Sequence, residues 1–393
     1  MKVSLLTGGD DPSYAIPLAE ALAERGVHVD FIGNDHMERS SRLRRANITY
    51  LNLRGDQDAR AALPSKAARI LRYYRNLIRY ARRSDSRLFH VLWLNKWEAF
   101  DRTLLTWFYK ISGKKLVFTA HNVNARRRDG NDTWLNTASL KAMYAMLDHI
   151  FVHTRQSRDE LVRDYGVHAG RVSVIPFGLN TYVPETPLCK AEARERLGVG
   201  ETERTLLFFG QIAPYKGLDV LLEAERILSA DQYEVRLLVA GRAKAGCESY
   251  WQPLKSGLER HGARARVTVM DRFIADEDVA VLFRAADALV LPYRAIYQSG
   301  PLSLAQRFGV PVIATRVGAF AEDVADDVNG FLCEPDNPAD LAKAIRRYFD
   351  SDLHREGEAT QKRLREAALE RHSWEGISRR IAEVYADLDG RGV

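Results

Sequence analysis

The stretch Thr205–Gly241, TLLFFGQIAPYKGLDVLLEAERILSADQYEVRLLVAG, decides the fold. TLLFF predicts a short buried strand, Gly210 to Gly217 a loop, the apolar repeat from Leu218 an amphipathic helix, and VRLLVAG a second strand. A strand, loop and crossover helix of this length returns the second strand parallel to the first. The chain opens in the same way. An apolar run over residues 2–7 leads into Gly8-Gly9, a helical pattern (Ala15, Leu18, Leu22) closes at Gly26, and Val27–Ile32 is the next strand. Two such beginnings imply two separately wound parallel sheets.

Outward from these two units, the first half predicts strands at Ile48–Leu51, Leu88–Trp93, Lys115–Thr119, Ile150–His153 and Val172–Ile175. The second half predicts them at Val267–Met270, Ala288–Leu291, Pro311–Ala314 and Gly330–Cys333. The polar, proline-rich YVPETP places the boundary at Pro184–Pro187, giving domains 1–184 and 185–373. A final amphipathic helix, 374–393, carries Trp374, Ile377, Ile381 and Val384 on one face.

Bulk properties agree with two globular domains. A chain of 393 residues exceeds what one core usually serves. With 46% hydrophobic and 28% charged residues and no low-complexity tract, it reads as folded throughout. The opening apolar run is too short for a signal-peptide core, and no window approaches the length of a bilayer span. Cys189, Cys247 and Cys333 lie far apart without CxxC spacing, so a cytoplasmic, reducing setting and no metal site are expected.

Charge is uneven. Residues 1–184 hold 29 Lys and Arg against 18 Asp and Glu, and residues 185–393 hold 29 against 34. Much of the excess lies in one predicted helix, Lys66–Arg83. Its apolar positions Ala67, Ile70, Leu71, Tyr74, Leu77, Ile78 and Ala81 follow helical spacing, while the other face carries Lys66, Arg69, Arg72, Arg75, Arg79, Arg82 and Arg83 with no acid. The plain reading is a solvated basic face. The functional reading is contact with an anionic membrane surface through Arg72, Arg75, Arg79 and Arg82. Nucleic acid is not expected, because no recognised binding motif accompanies the charges.

Neither glycine loop spells GxGxxG, so dinucleotide chemistry is unsupported. Lys216, just before a helix start, fits a diphosphate held by an ammonium group and a helix dipole; taken alone, it reads first as a solvated surface lysine. Tyr297-Gln298-Ser299-Gly300-Pro301 leads into a helix at Leu302–Arg307, which is either a second anion site or an ordinary N-cap by Ser299.

Together, FFGQIAPYKGLDVLLEA, SGPLSLAQRFGVPVIATRVGAFAEDVADDVNGFLCEPDNPADLAKAI, the closing HSW helix and FTAHNV resemble the retaining glycosyltransferases of family 4, whose fold is called GT-B. The similarity spans essentially the whole chain. It implies two Rossmann-like α/β domains facing across a cleft, a nucleoside-diphosphate-sugar donor on the C-terminal domain, an acceptor on the N-terminal domain, and a last helix crossing back. Carried over by position, Lys216 resembles the lysine at the donor diphosphate. His121 resembles the histidine near the donor sugar, and Gly8 and Gly9 the loop near the phosphates.

The chain also departs from that pattern. Gln211 stands where an arginine usually follows the glycine, and the family's paired E-x7-E glutamates map onto Ile296 and Leu304. Donor contacts would then fall to Gln211, Tyr297, Gln298, Ser299 and Gly300. The resemblance implies retaining transfer to a saccharide or lipid-linked hydroxyl, without a cofactor or metal. The departures support an alternative, a non-catalytic sugar-nucleotide-binding subunit of a partner transferase. A GT-B epimerase or phosphorylase shares the architecture.

Overall fold

The computed structural model describes residues 1–8, 11–58, 60–260 and 266–390. They divide into two compact units, one formed by Met1–Gly178 with His372–Val393 and the other by Leu179–Arg371.

The first unit holds β1 (Lys2–Leu6), β2 (His28–Gly33), β3 (Ile48–Asn52), β4 (Leu88–Val91), β5 (Lys115–Thr119), β6 (His149–Val152) and β7 (Val172–Val174). All pairings are parallel, in the order β3-β2-β1-β4-β5-β6-β7. The second unit holds β8 (Thr205–Phe209), β9 (Arg236–Ala240), β10 (Val267–Met270), β11 (Ala288–Leu291), β12 (Val312–Thr315) and β13 (Gly330–Cys333), parallel in the order β10-β9-β8-β11-β12-β13. Each sheet reverses direction once, between β1 and β4 in the first and between β8 and β11 in the second. The loops leaving those paired strand ends flank a crevice where open α/β sheets take their ligands.

Helices on both faces explain the uninterrupted apolar strands. In the second unit, Leu207, Leu238, Leu289 and Leu291 belong to one core, and Leu206, Phe208, Leu237, Val239 and Val290 to the core on the other face. Each fully buried aliphatic or aromatic side chain contributes about 1.5–3 kcal/mol relative to exposure. Ile296 and Leu304 lie in the first of these cores, 9% and 4% exposed, so apolar packing occupies those positions.

Two sequence expectations change. The division falls at Gly178/Leu179, before the prolines. Residues after it are tied to the second unit, where Asn180 N–H donates to Ser303 Oγ at 3.0 Å and Arg307 Nη1 donates to Asn180 O at 2.7 Å. The basic helix runs Leu63–Arg83 and buries Tyr73, Tyr74, Leu77 and Ala81. Leu71, placed on the apolar face by spacing, is instead 58% exposed. Tyr73 and Tyr74, with ring centroids 5.7 Å apart, are the aromatic side chains this helix buries, and Leu71 is not among its buried residues.

The last helix, Trp374–Leu388, completes the first unit by packing on the helix Pro12–Glu24. Trp374 meets Tyr14 edge-on with centroids 5.0 Å apart, and the Tyr385 hydroxyl bonds His90 Nδ1 at 2.5 Å in the interior.

Candidate functional site

In the second unit, the loop after β8 and the loop after β11 meet. Gly210 N–H donates to Ala240 O at 2.9 Å, and Gly210 adopts a φ of +112°. A Cβ there would lie 2.8 Å from Lys216 Nζ and 3.5 Å from Pro301 Cγ, so the ammonium folds back over Gly210 toward the first turn of the helix Gly300–Phe308. Lys216 is 7% exposed, and its Nζ lies 5.3 Å from the centroid of the buried Tyr293 ring. A cation held in low dielectric beside a helix N-terminus acts strongly on phosphate charge.

Gly217 fixes this placement. Its φ is +63°, and a Cβ would come within 2.0 Å of Pro292 O, which bars any side chain between the Lys216 turn and the end of β11.

Of the other sequence candidates here, Gln211 is exposed, Tyr297 and Gln298 are half-buried, Ser299 is buried and Gly300 is exposed. Ser299 caps the helix, its Oγ accepting from Leu302 N–H at 3.4 Å. Gln298 Oε1 accepts from Ser299 N–H at 3.3 Å, while its Nε2 is buried without a partner among the described residues.

Arg294 was not singled out from the sequence. Its backbone N–H donates to Tyr215 O at 2.7 Å, and its guanidinium reaches Pro214 O, Asp336 and both oxygens of Asp219. Hydrogen bonds to Asp219 raise its pKa, so the charge is permanent. Burial raises the Asp219 carboxyl, but bonds from Arg294 and from the Tyr250 hydroxyl at 2.6 Å outweigh it and leave the pKa lowered. Arg294 thus fastens the Lys216 turn from behind. A cation three residues past β11 was the available sequence signal, but spacing alone assigned it no partner.

In the first unit, Gly8 lies in the loop after β1 with a φ of +38°; Gly9 lies outside the described residues. A Cβ on Gly8 would sit 1.7 Å from Trp93 O, so the β1 and β4 loops touch through backbone alone.

His121 follows β5 and is enclosed, 8% exposed, among aromatic rings. It stacks on Trp93 with centroids 4.3 Å apart and meets Tyr14 edge-on at 4.6 Å. His153 Nδ1 lies 3.2 Å from Ile175 O and His153 Nε2 lies 3.1 Å from His121 Nδ1. A carbonyl can only accept, so His153 Nδ1 carries the proton and its Nε2 accepts from His121 Nδ1–H. His121 Nε2 is left as a bare lone pair, buried and without a partner among the described residues. Burial, reinforced by His153 and His90, holds its pKa well below the ordinary value, so the ring is neutral and suited to accept from a hydroxyl.

Arg72, Arg75, Arg79 and Arg82 are all exposed on helix 63–83.

Two parallel sheets, each with one switch point where loops meet, define an α/β protein of the two-unit Rossmann-like class. The sequence comparisons narrow the class. Residues 190–371 match the family described as Glycosyl transferases group 1, and residues 13–182 match Glycosyltransferase Family 4. The chain belongs to these glycosyltransferases and has the GT-B fold. It is 32% identical over 249 residues to a D-inositol 3-phosphate glycosyltransferase of Streptomyces avermitilis, covering 61% of this chain and 52% of that protein. The chain spans about half the length of the curated relatives it matches. Among solved structures, sucrose-phosphate synthase of Thermosynechococcus elongatus aligns with a TM-score of 0.75 at 20% identity over 99% of both chains. Anabaena HepE in complex with UDP-glucose aligns with a TM-score of 0.74 at 19% identity, over 98% of this chain and 100% of that one. No helix among the described residues is long and apolar enough to cross a membrane.

Proposed function

We propose that the protein transfers a sugar, with retention, from a nucleoside-diphosphate sugar to a hydroxyl of a saccharide or lipid-linked acceptor. The observation that carries this is the Lys216 ammonium, buried against Gly210 at the first turn of helix 300–308. As the bond from the anomeric carbon to the diphosphate oxygen breaks, negative charge grows on the diphosphate. Lys216 and the helix start stabilise it, and the departing phosphate takes the acceptor proton as the new C–O bond forms on the same face. Within the first unit, His121 Nε2 offers a lone pair to a sugar hydroxyl. Gln298 Nε2 supplies a donor near the nucleotide where the family's carboxylates are missing. Neither a metal nor an organic cofactor takes part. The unpaired Cys189, Cys247 and Cys333 fit a reducing cytoplasm.

A second reading, a sugar-nucleotide-binding subunit without catalysis, draws on Ile296 and Leu304, which fill core positions where the family pattern has glutamates. One experiment separates them. The protein is screened by thermal shift against individual nucleotide sugars, then incubated with stabilising donors and candidate acceptors and read by mass spectrometry. Stabilisation plus a sugar-mass increment on an acceptor supports transfer. Stabilisation without product across acceptors supports the binding subunit, and no stabilisation by any donor overturns both.

A further inference from the structure

Among the described residues, thirteen large apolar side chains are exposed, and eight fall between residues 63 and 135. They include Trp97, Trp107 and Trp134. Three line one ridge of the helical segment that ends at Ile111: Leu104 is 61% exposed, Trp107 55% and Ile111 61%, at i, i+3 and i+7. Leaving such a ridge in water is costly, and single scattered side chains do not account for it.

Its neighbour is the basic helix. The Arg82 guanidinium lies 5.7 Å from the centroid of Phe108, which is within one turn of both Leu104 and Ile111. Trp97 stacks on Tyr74 of the same helix at 5.4 Å, and the Tyr74 hydroxyl donates to Asp101 Oδ1 at 2.9 Å. The first unit therefore carries an apolar ridge next to Arg82, which ends a row of exposed arginines, Arg72, Arg75, Arg79 and Arg82, at i, i+3, i+7 and i+10 on the basic helix. Across residues 63–111 there are eleven Lys and Arg against Asp85, Glu98 and Asp101. Of these acids, Asp101 is buried, Glu98 is held by Arg102 at 2.7 Å and Asp85 by Lys2 at 2.7 Å.

We propose that this ridge docks on an anionic lipid bilayer, with Leu104, Trp107 and Ile111 entering the headgroup–acyl boundary and the four arginines engaging lipid phosphates. Tryptophan beside aliphatic side chains suits the amphipathic interface, and the row of cations selects anionic headgroups. The side chains protrude singly from a ridge rather than lining a groove, which suits a fluid surface better than a shaped protein partner. The proposal goes beyond the transfer reading and is tested without any sugar donor, so the two can fail separately.

The test is co-sedimentation of the whole chain with vesicles of phosphatidylcholine, alone or mixed with phosphatidylglycerol. Binding is expected only with phosphatidylglycerol, falling as salt rises. Changing Arg72, Arg75, Arg79 and Arg82 together to Gln should weaken it by on the order of tenfold or more. Changing Leu104, Trp107 and Ile111 together to Ser should weaken it comparably. Vesicles with brominated acyl chains should quench tryptophan emission of the parent protein more than that of Trp107→Phe, which keeps bulk at the site. Circular dichroism melts establish that each variant is folded. No binding to anionic vesicles, equal binding to neutral ones, or arginine dependence without any effect of the Ser changes or of Trp107→Phe overturns the proposal.

Discussion

Arg294 and Asp219 form a two-pronged ion pair, Nη2 to Oδ2 at 2.7 Å and Nη1 to Oδ1 at 3.0 Å, joining the loop after β11 to the first turn of the helix Leu218–Ala230. Because Arg294 also holds Pro214 O and Tyr215 O, it sets the position of Lys216 without being in the sequence motif. Arg294→Met should lower kcat by about a hundredfold, since small misplacements of a reacting group cost that much. The Asp219 pKa is lowered in the folded protein, so the pair's contribution is present above the unfolded carboxyl value and lost as pH falls through the folded one. Melting temperature against pH should show this acid loss in the parent and a shallower one in Arg294→Met.

Lys216→Ala should leave the melting curve close to the parent's and reduce kcat by about 10²–10³, the range for removing one group that stabilises developing negative charge. Steady-state kinetics with a saturating donor measure it. Lys216→Arg should recover little, because a planar, forked guanidinium does not reproduce a compact ammonium point charge.

The buried histidines make the first unit acid-sensitive. Burial lowers His153 to about 4 and His90 to about 3, from an ordinary 6.5. A folded pKa below the unfolded one means that the unfolded chain binds more protons in between, so stability is full above 6.5 and falls as pH drops toward 4. The change should be reversible and lessened in His153→Gln. A flat stability profile between pH 7 and 4 in the parent would count against the neutral His121–His153 pair.

Gly8→Ala should be severe and Gly26→Ala mild, although both residues have positive φ, +38° and +77°. A Cβ at Gly8 runs into Trp93 O, whereas at Gly26 nothing lies within 4 Å. The expected costs are about 1–2 kcal/mol for Gly26→Ala, from backbone strain alone, and several kcal/mol for Gly8→Ala. Urea unfolding of the two variants compares them directly.

The wound sheets were legible because strands buried on both faces are apolar runs between turn residues. Lys115–Thr119, Val267–Met270, Ala288–Leu291 and Gly330–Cys333 coincide with their sequence readings. Where a strand end has another task, the reading overran. β4 stops at Val91, and Trp93, read as strand, leaves the ladder to stack on His121 and abut Gly8. Lys216 and Ser299 were visible through local loop and cap chemistry. Arg294, Trp93 and the His121–His153 bond were not, because each depends on groups brought together only by the closed sheet. The Leu104–Trp107–Ile111 ridge was missed because an apolar periodicity looks the same whether it faces a core or a solvent boundary.

The first unit is written in two instalments, residues 1–178 and 372–393, with the whole second unit between them. A ribosome therefore delivers the second unit as an uninterrupted module before it delivers the helix that seals the first. Until Trp374 and Tyr385 emerge, Tyr14 and the His90 imidazole lack their covers, so the nascent first unit waits with an open seam for roughly 10–40 s at ordinary elongation rates. A chain terminated after residue 371 would carry a finished second unit and a first unit without its seal, which makes closure of the first unit conditional on synthesis having passed through the second.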